Sequence, residues 1–264
     1  ILDDYARGKP VRTLGVRGGT PRTTVIFHHH ALECVRGMNV VTMDVDDATD
    51  VMCTRGVCFE QALADALSGV DQGEGASLRG LTETLTARSV MTHDSKKVRT
   101  LAALCLSDLM RVYAPEAPIE GDAAMRDVYE LFLDALSNLK SLESEEFESA
   151  KSLLLNVANI GLCVPMLDLD CDGAETLVQD LFKVLLDAVN ATNATTVSEE
   201  IVKVLSTMIE ESSDEDTPVP SDILFELLSR LIDPIRTENP AAFKVATELV
   251  QKCEHQLHAP IQTF

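Results

Sequence analysis

Positive charge is what this 264-residue chain has least of: 22 Lys and Arg stand against 43 Asp and Glu, a formal net charge of −21. Gripping a phosphate backbone needs clustered Lys and Arg, so this balance argues against direct DNA binding. Long apolar runs are missing as well. No stretch of about 18 apolar residues and no signal-peptide core occurs, so neither a membrane span nor secretion is indicated. The seven cysteines include no CxxC pair, and Cys105 and Cys253 fall on apolar helical faces, the setting of small buried thiols in a reducing compartment. The sequons at Asn190 and Asn193 are therefore expected to stay unglycosylated. No GxSxG, Walker or dinucleotide-binding pattern is present, and "GVRGGT" at Gly15 is neither spaced nor flanked as a phosphate loop. Nothing in the motifs argues for an enzyme.

What the chain does have is helical periodicity, but not from its beginning. Ile1 to Val40 carry six Arg or Lys against three Asp or Glu, so the acidic excess lies downstream. "RGKPVRTLGVRGGTPRTT" follows neither hydrophobic period, and residues 1–55 are expected to form a poorly ordered extension. From about Phe59 the 3.6-residue period takes over. Val98, Leu101, Ala102, Cys105, Leu106 and Leu109 share one face; Phe147, Ala150, Leu154 and Val157 make the next stripe, and Leu177, Leu181, Leu185 and Val189 another. Three more stripes follow, through Val197 to Met208, Ile223 to Leu231, and Ala242 to Cys253, the last helix being expected over 241–257. Breaks at "APEAPIEGD", "CVPMLDLDCDG", "NATNATTVSE", "SSDEDTPVPSD" and "IDPIRTENPA" supply the Pro, Asn, Asp and Ser that end or cap helices. Helices of about 15–20 residues, paired at roughly 40 residues per unit with no strand signal, point to an all-α HEAT-like solenoid of stacked antiparallel helix pairs over 56–264. The start at Ile1 and the stop at Phe264 after a periodic segment suggest a truncated piece of a longer array.

Within "HDSKKVRTLAALCLSDL" the expected structural repeat residues are Asp94 as N-cap, Val98 and Arg99 one turn later, and Ala102, whose small side chain lets neighbouring helices approach. As in HEAT repeats, where such an Asp and Arg hydrogen-bond between successive units, Asp94 and Arg99 read as structural and not as part of an active site. Other motifs have simple readings. "DLDCDG" from Asp168 starts like a calcium loop, but Gln179 stands where a bidentate Glu belongs and Glu175 where an apolar residue belongs. It reads as an acidic turn feeding a helix N-terminus at Ala174. His28 to His30 are adjacent and do not converge on one ion, so no metal site is expected. The run Glu210, Glu211, Asp214, Glu215, Asp216 reads as a solvated loop whose two serines are able to accept phosphate.

The stretch "LCLSDLMRVYAPEAP" ends a helix with two prolines around one glutamate, where one proline suffices to stop it. With its flanks, "KKVRTLAALCLSDLMRVYAPEAPI", Lys96 to Ile119, resembles the signature of the cohesin-associated precocious-dissociation-of-sisters (Pds) family. "ELFLDALSNL", "FESAKSLLLNVANI", "DLFKVLLDAV" and the segments from Val204 and Asn239 continue the likeness in order, over roughly Phe59 to Phe264. Residues 1–55 lie outside it.

The resemblance implies a long helical-repeat scaffold without catalytic activity or cofactor, nuclear and chromosome-associated, that touches chromatin only indirectly. Its implied partners are the kleisin subunit of cohesin, the releasing factor Wapl and the cohesin acetyltransferase. Short tyrosine-serine-arginine segments dock on the family's Ala-Pro-Asp/Glu-Ala-Pro element, which maps to Ala114, Pro115, Glu116, Ala117 and Pro118, with Tyr113 as an apolar neighbour. Ile119 departs from the family's tyrosine, removing an aromatic wall. Pro115 and Pro118 are expected to hold an extended edge before any partner arrives. On periodicity alone, the alternative is a generic HEAT or armadillo adaptor, such as a transport receptor or phosphatase scaffold.

Overall fold

The computed structural model describes residues 67, 78–213 and 218–264. The basic N-terminal segment, the histidine triplet and residues 214–216 of the acidic run lie outside the described residues. Among those described there is no strand. Two short helices, α1 (Arg79–Leu85) and α2 (Arg88–Met91), precede α3 (Lys96–Tyr113), α4 (Asp122–Leu136), α5 (Phe147–Ile160), α6 (Leu177–Ala188) and α7 (Ala194–Glu211). Then follow α8 (Ser221–Ser229), the single turn α9 (Ile235–Glu238), α10 (Pro240–Lys252) and α11 (Glu254–Thr263).

Packing sorts the long helices into two layers. Helices α3, α5, α7 and α10 pack in succession on one side, and α4, α6, α8 and α11 on the other, with α3 on α4, α4 on α5, α6 on α7 and α10 on α11 joining the layers. This is a HEAT-type solenoid: every unit covers its apolar face with the next, and one continuous core runs through the stack. Helix α3 shows why. Leu101 to Met110 are all buried, the pattern of a helix enclosed on nearly every side. Ala102 and Ala103 have no exposed surface and Cys105 almost none, so α4 and α5 approach closely. In α4, Tyr129 and Phe132 are fully buried, edge to face with centroids 6.1 Å apart. The Tyr129 hydroxyl donates to the Leu162 carbonyl at 2.9 Å, satisfying the only polar atom that ring brings inside.

Hydrogen bonds between units measure the repeat. Asn156 reaches Ser107, 49 positions back; Lys203 reaches Asn159 at 44; Lys252 reaches Ser206 at 46; Asn239 reaches Val189 at 50. The unit is therefore longer than the 40 residues expected. The 3-10 turns Ser137–Lys140 and Val164–Asp168 and their flanking loops lengthen it.

Several helix ends differ from expectation. The stripe from Ile223 ends at Ser229, leaving Leu231 in a turn, and the helix expected over 241–257 breaks at Cys253 into α10 and α11. Helix α6 starts at Leu177, not at Ala174. The N-cap of α3 is Ser95, not Asp94, and no side chain caps it. At the C-terminus of α5, Gly161 adopts the left-handed conformation, φ 66°, which a glycine takes without penalty.

The sequon asparagines are structural. Asn193 is fully buried, and its amide donates to the Leu139 and Ala188 carbonyls at 2.6 and 2.8 Å. The Asn190 amide donates to the Lys140 carbonyl at 2.8 Å. A glycan on either nitrogen would break these bonds.

Candidate functional site

The C-terminus of α3 carries the two-proline element. Tyr113 is its last helical residue and is half-buried. Burial raises its phenol above the ordinary range, while the Arg79 guanidinium and a hydrogen bond with the Leu78 backbone pull the other way. The ring is thus held against the start of α1. Beyond it the backbone turns: Glu116 donates its amide to the Tyr113 carbonyl at 3.2 Å, and the Ala114–Pro115 peptide is cis. The expected extended edge is instead a tight turn at its first half. Pro115, Glu116 and Ala117 are exposed, Ala114 and Pro118 half-buried. Ile119 is only 9 % exposed and joins the core. Its side chain anchors the loop from beneath, so it does not leave a gap in an exposed wall.

A polar network that the periodicity did not reveal supports this turn. Asp108, 3 % exposed, lies two turns before it. Asn156 of α5 donates to the Asp108 carboxylate at 3.1 Å and to the Ser107 hydroxyl at 2.8 Å, and Arg111 stands 3.6 Å from that carboxylate. Burial pushes the Asp108 carboxyl up to about 6, against the lowering effects of Arg111 and Asn156. Arg111 also donates to the Leu67 carbonyl at 2.7 Å. The network ties α3 to the next unit and to the chain before α1. Its signal in the sequence is polar "SD" inside an otherwise apolar helix, a pair that burial has to satisfy.

The opposite end of α3 holds the repeat residues. Val98 and Ala102 are buried. Arg99 donates from Nε to Asp134 of α4 at 2.8 Å, and from Nη1 to the carbonyls of His93 and Asp94 at 2.7 and 3.3 Å. Asp94 therefore meets Arg99 through its backbone, and the carboxylate partner is Asp134. Lys97 pairs loosely with Glu145 at 3.8 Å. The turn 168–173 folds onto the start of α4: the Asp170 amide donates to Asp122 at 3.1 Å, and Arg126 donates to the Asp172 carbonyl at 2.6 Å.

Residues 61–264 match the family model described as sister chromatid cohesion protein PDS5. Sister chromatid cohesion protein PDS5 homolog A of Arabidopsis thaliana is 29 % identical over 188 residues, covering 71 % of this chain and 11 % of that protein. Homolog E of the same plant is 26 % identical over 210 residues, 80 % of this chain and 20 % of that protein. Human PDS5 homolog A is 27 % identical over 183 residues, 68 % of this chain and 13 % of that protein. The chain thus spans a small part of these relatives. A chain in the solved structure of the Pds5–Scc1 complex superposes with a TM-score of 0.65 at 20 % identity, over 91 % of this chain and 34 % of its own length. That likeness shares the fold.

Proposed function

The chain belongs to the PDS5 family of sister chromatid cohesion proteins, and from that premise we propose that it is part of a non-catalytic scaffold that regulates cohesin on chromatin. In this reading the solenoid binds the kleisin subunit, and the turn at 114–118 takes short peptide segments of cohesin regulators, the releasing factor Wapl and the cohesin acetyltransferase among them. It works in the nucleus, on chromosomes, and meets DNA only through cohesin.

One observation carries the docking assignment: Pro115, Glu116 and Ala117 are exposed on a turn whose flanks, Tyr113 and Ile119, are fastened to the body of the protein. A partner meets a shape already formed, so little ordering entropy opposes binding. Glu116 supplies an acceptor. A partner arginine donating to this carboxylate makes a charge-assisted hydrogen bond that both attracts and orients, and the prolines and Tyr113 offer apolar surface beside it.

The test is Glu116→Lys with Pro118→Ala beside it. Both variants should keep helical content and melting temperature. Affinity for a tyrosine-serine-arginine peptide from the releasing factor, measured by fluorescence anisotropy, should fall by about 1.5–3 kcal/mol for the charge reversal. Unchanged affinity in folded Glu116→Lys removes this glutamate from the site. No wild-type binding removes the docking assignment itself.

A further inference from the structure

We propose a second docking surface, separate from the proline turn: the groove between α4 and α6, built to receive a protein segment that carries spaced arginines among aliphatic residues. The groove holds about 480 Å³. It starts at Glu130, eight residues along α4 from Asp122, about 12 Å beyond the edge that carries the proline turn. Leu133 and Val184 give it an apolar floor.

Its walls hold more carboxylates than cations, and two are fixed in place. Asp134 on α4 is gripped through Oδ2 by Arg99 at 2.8 Å, and Asp187 on α6 through Oδ1 by Arg230 at 2.9 Å. Arg230 is itself buried and also meets Glu226. Each arginine approaches from outside the lining set and uses one oxygen. The second oxygen of each aspartate has no protein partner among the described residues. A carboxylate braced in this way pays no further side-chain entropy when it accepts from a partner guanidinium. Asp180 adds a further acceptor, Glu130 another through the oxygen not facing Arg126 at 3.7 Å, and Lys140 and Lys183 stand among them. The lysines repel an unbroken basic run and leave a segment with separated arginines as the complementary one. Its aliphatic residues and arginine stems cover Leu133 and Val184.

The probe is a labelled helical peptide with two arginines one turn apart between leucines. It is compared with an analogue in which both arginines are glutamate, by fluorescence anisotropy at physiological ionic strength. The arginine peptide should bind and the glutamate analogue should not, with amide exchange slowed in α4 and α6. Val184→Arg, which replaces the apolar floor with a cation, and Asp187→Asn, read independently in case the first disturbs folding, should each weaken binding about tenfold. Glu248→Arg, an exposed change on α10, should not. The proposal is overturned by equal weakening in all three variants, which is attraction to overall negative charge only. It is also overturned by protection elsewhere, by equal binding of the glutamate analogue, or by no binding of the arginine peptide.

Discussion

Asp108 is a carboxylate placed where ionisation is costly. Its folded carboxyl titrates at about 6, well above the ordinary 3.8, because burial outweighs Arg111 and Asn156. Between those two pH values the folded protein holds a proton that the unfolded chain has released, so the contribution of this group is complete below about pH 4 and is lost as pH rises through 6. A shift of this size corresponds to about 3 kcal/mol. Asp108→Asn keeps the shape without the charge. Relative to the parent, it should gain about 2–3 kcal/mol of stability between pH 4 and pH 7, measured by urea unfolding at both values. A pH-independent difference would mean that Asp108 is not buried in this way. The buried thiols of Cys163 and Cys253, pushed up to about 12 and about 11 by burial, stay protonated and packed.

Helix α3 packs closely on both α4 and α5, and its two ends illustrate different interactions. Arg99 combines an ion pair, 23 % and 40 % exposed on its two sides, with two backbone carbonyls. A partly exposed ion pair adds little, so a double-mutant cycle of Arg99→Met and Asp134→Asn should give a coupling energy under about 1 kcal/mol. Arg99→Met alone should cost more than Asp134→Asn, since it also removes the donor to the half-buried His93 carbonyl. Equal costs would assign the whole effect to the ion pair. The Asn193 side chain bridges two units with no exposed surface. Asn193→Ala removes the interior donor to the Leu139 carbonyl and leaves the Ala188 carbonyl only the Asn190 amide at 3.2 Å, so it should cost about 2 kcal/mol in chemical unfolding. Asn190→Ala, at a half-buried position, should cost less.

The helices themselves were legible because their stripes are long and repeat. Val197, Ile201, Val204, Leu205 and Met208, for example, lie on one face of α7, and these residues are buried together. Helix ends were less so. Ser95 and not Asp94 is the N-cap of α3, and Cys253 divides a continuous stripe; no side-chain cap marks the first end, and only the Cys253 amide, bonded to the Leu249 carbonyl, marks the second. The surroundings of the proline turn were legible only in composition. Two prolines announce that the chain leaves the helix, but whether it extends or turns depends on the anchoring of Tyr113 and Ile119. Ile119 read as a lost surface residue in the alignment of motifs and is a core residue in the fold. The Asp108 network and the groove between α4 and α6 combine residues about 50 positions apart, a distance at which no local pattern signals proximity.

Across the molecule, two layers of helices give a long surface on which exposed sites are spaced along one stiff body. Each unit contacts mainly its neighbours, so damage at one junction should spread only locally. Amide exchange in Asn193→Ala should accelerate in α6 and α7 while α10 and α11 change less; uniform acceleration would indicate one all-or-none unit. The scaffold reading predicts that partners bind side by side without chemistry at any of these sites. The most direct measurement is affinity purification of the tagged full chain from nuclear extract, with Glu116→Lys in parallel. The account predicts that the kleisin and the other cohesin subunits co-purify with both proteins and that the releasing factor is depleted with the variant. Recovery of transport or phosphatase components without any cohesin subunit would contradict it.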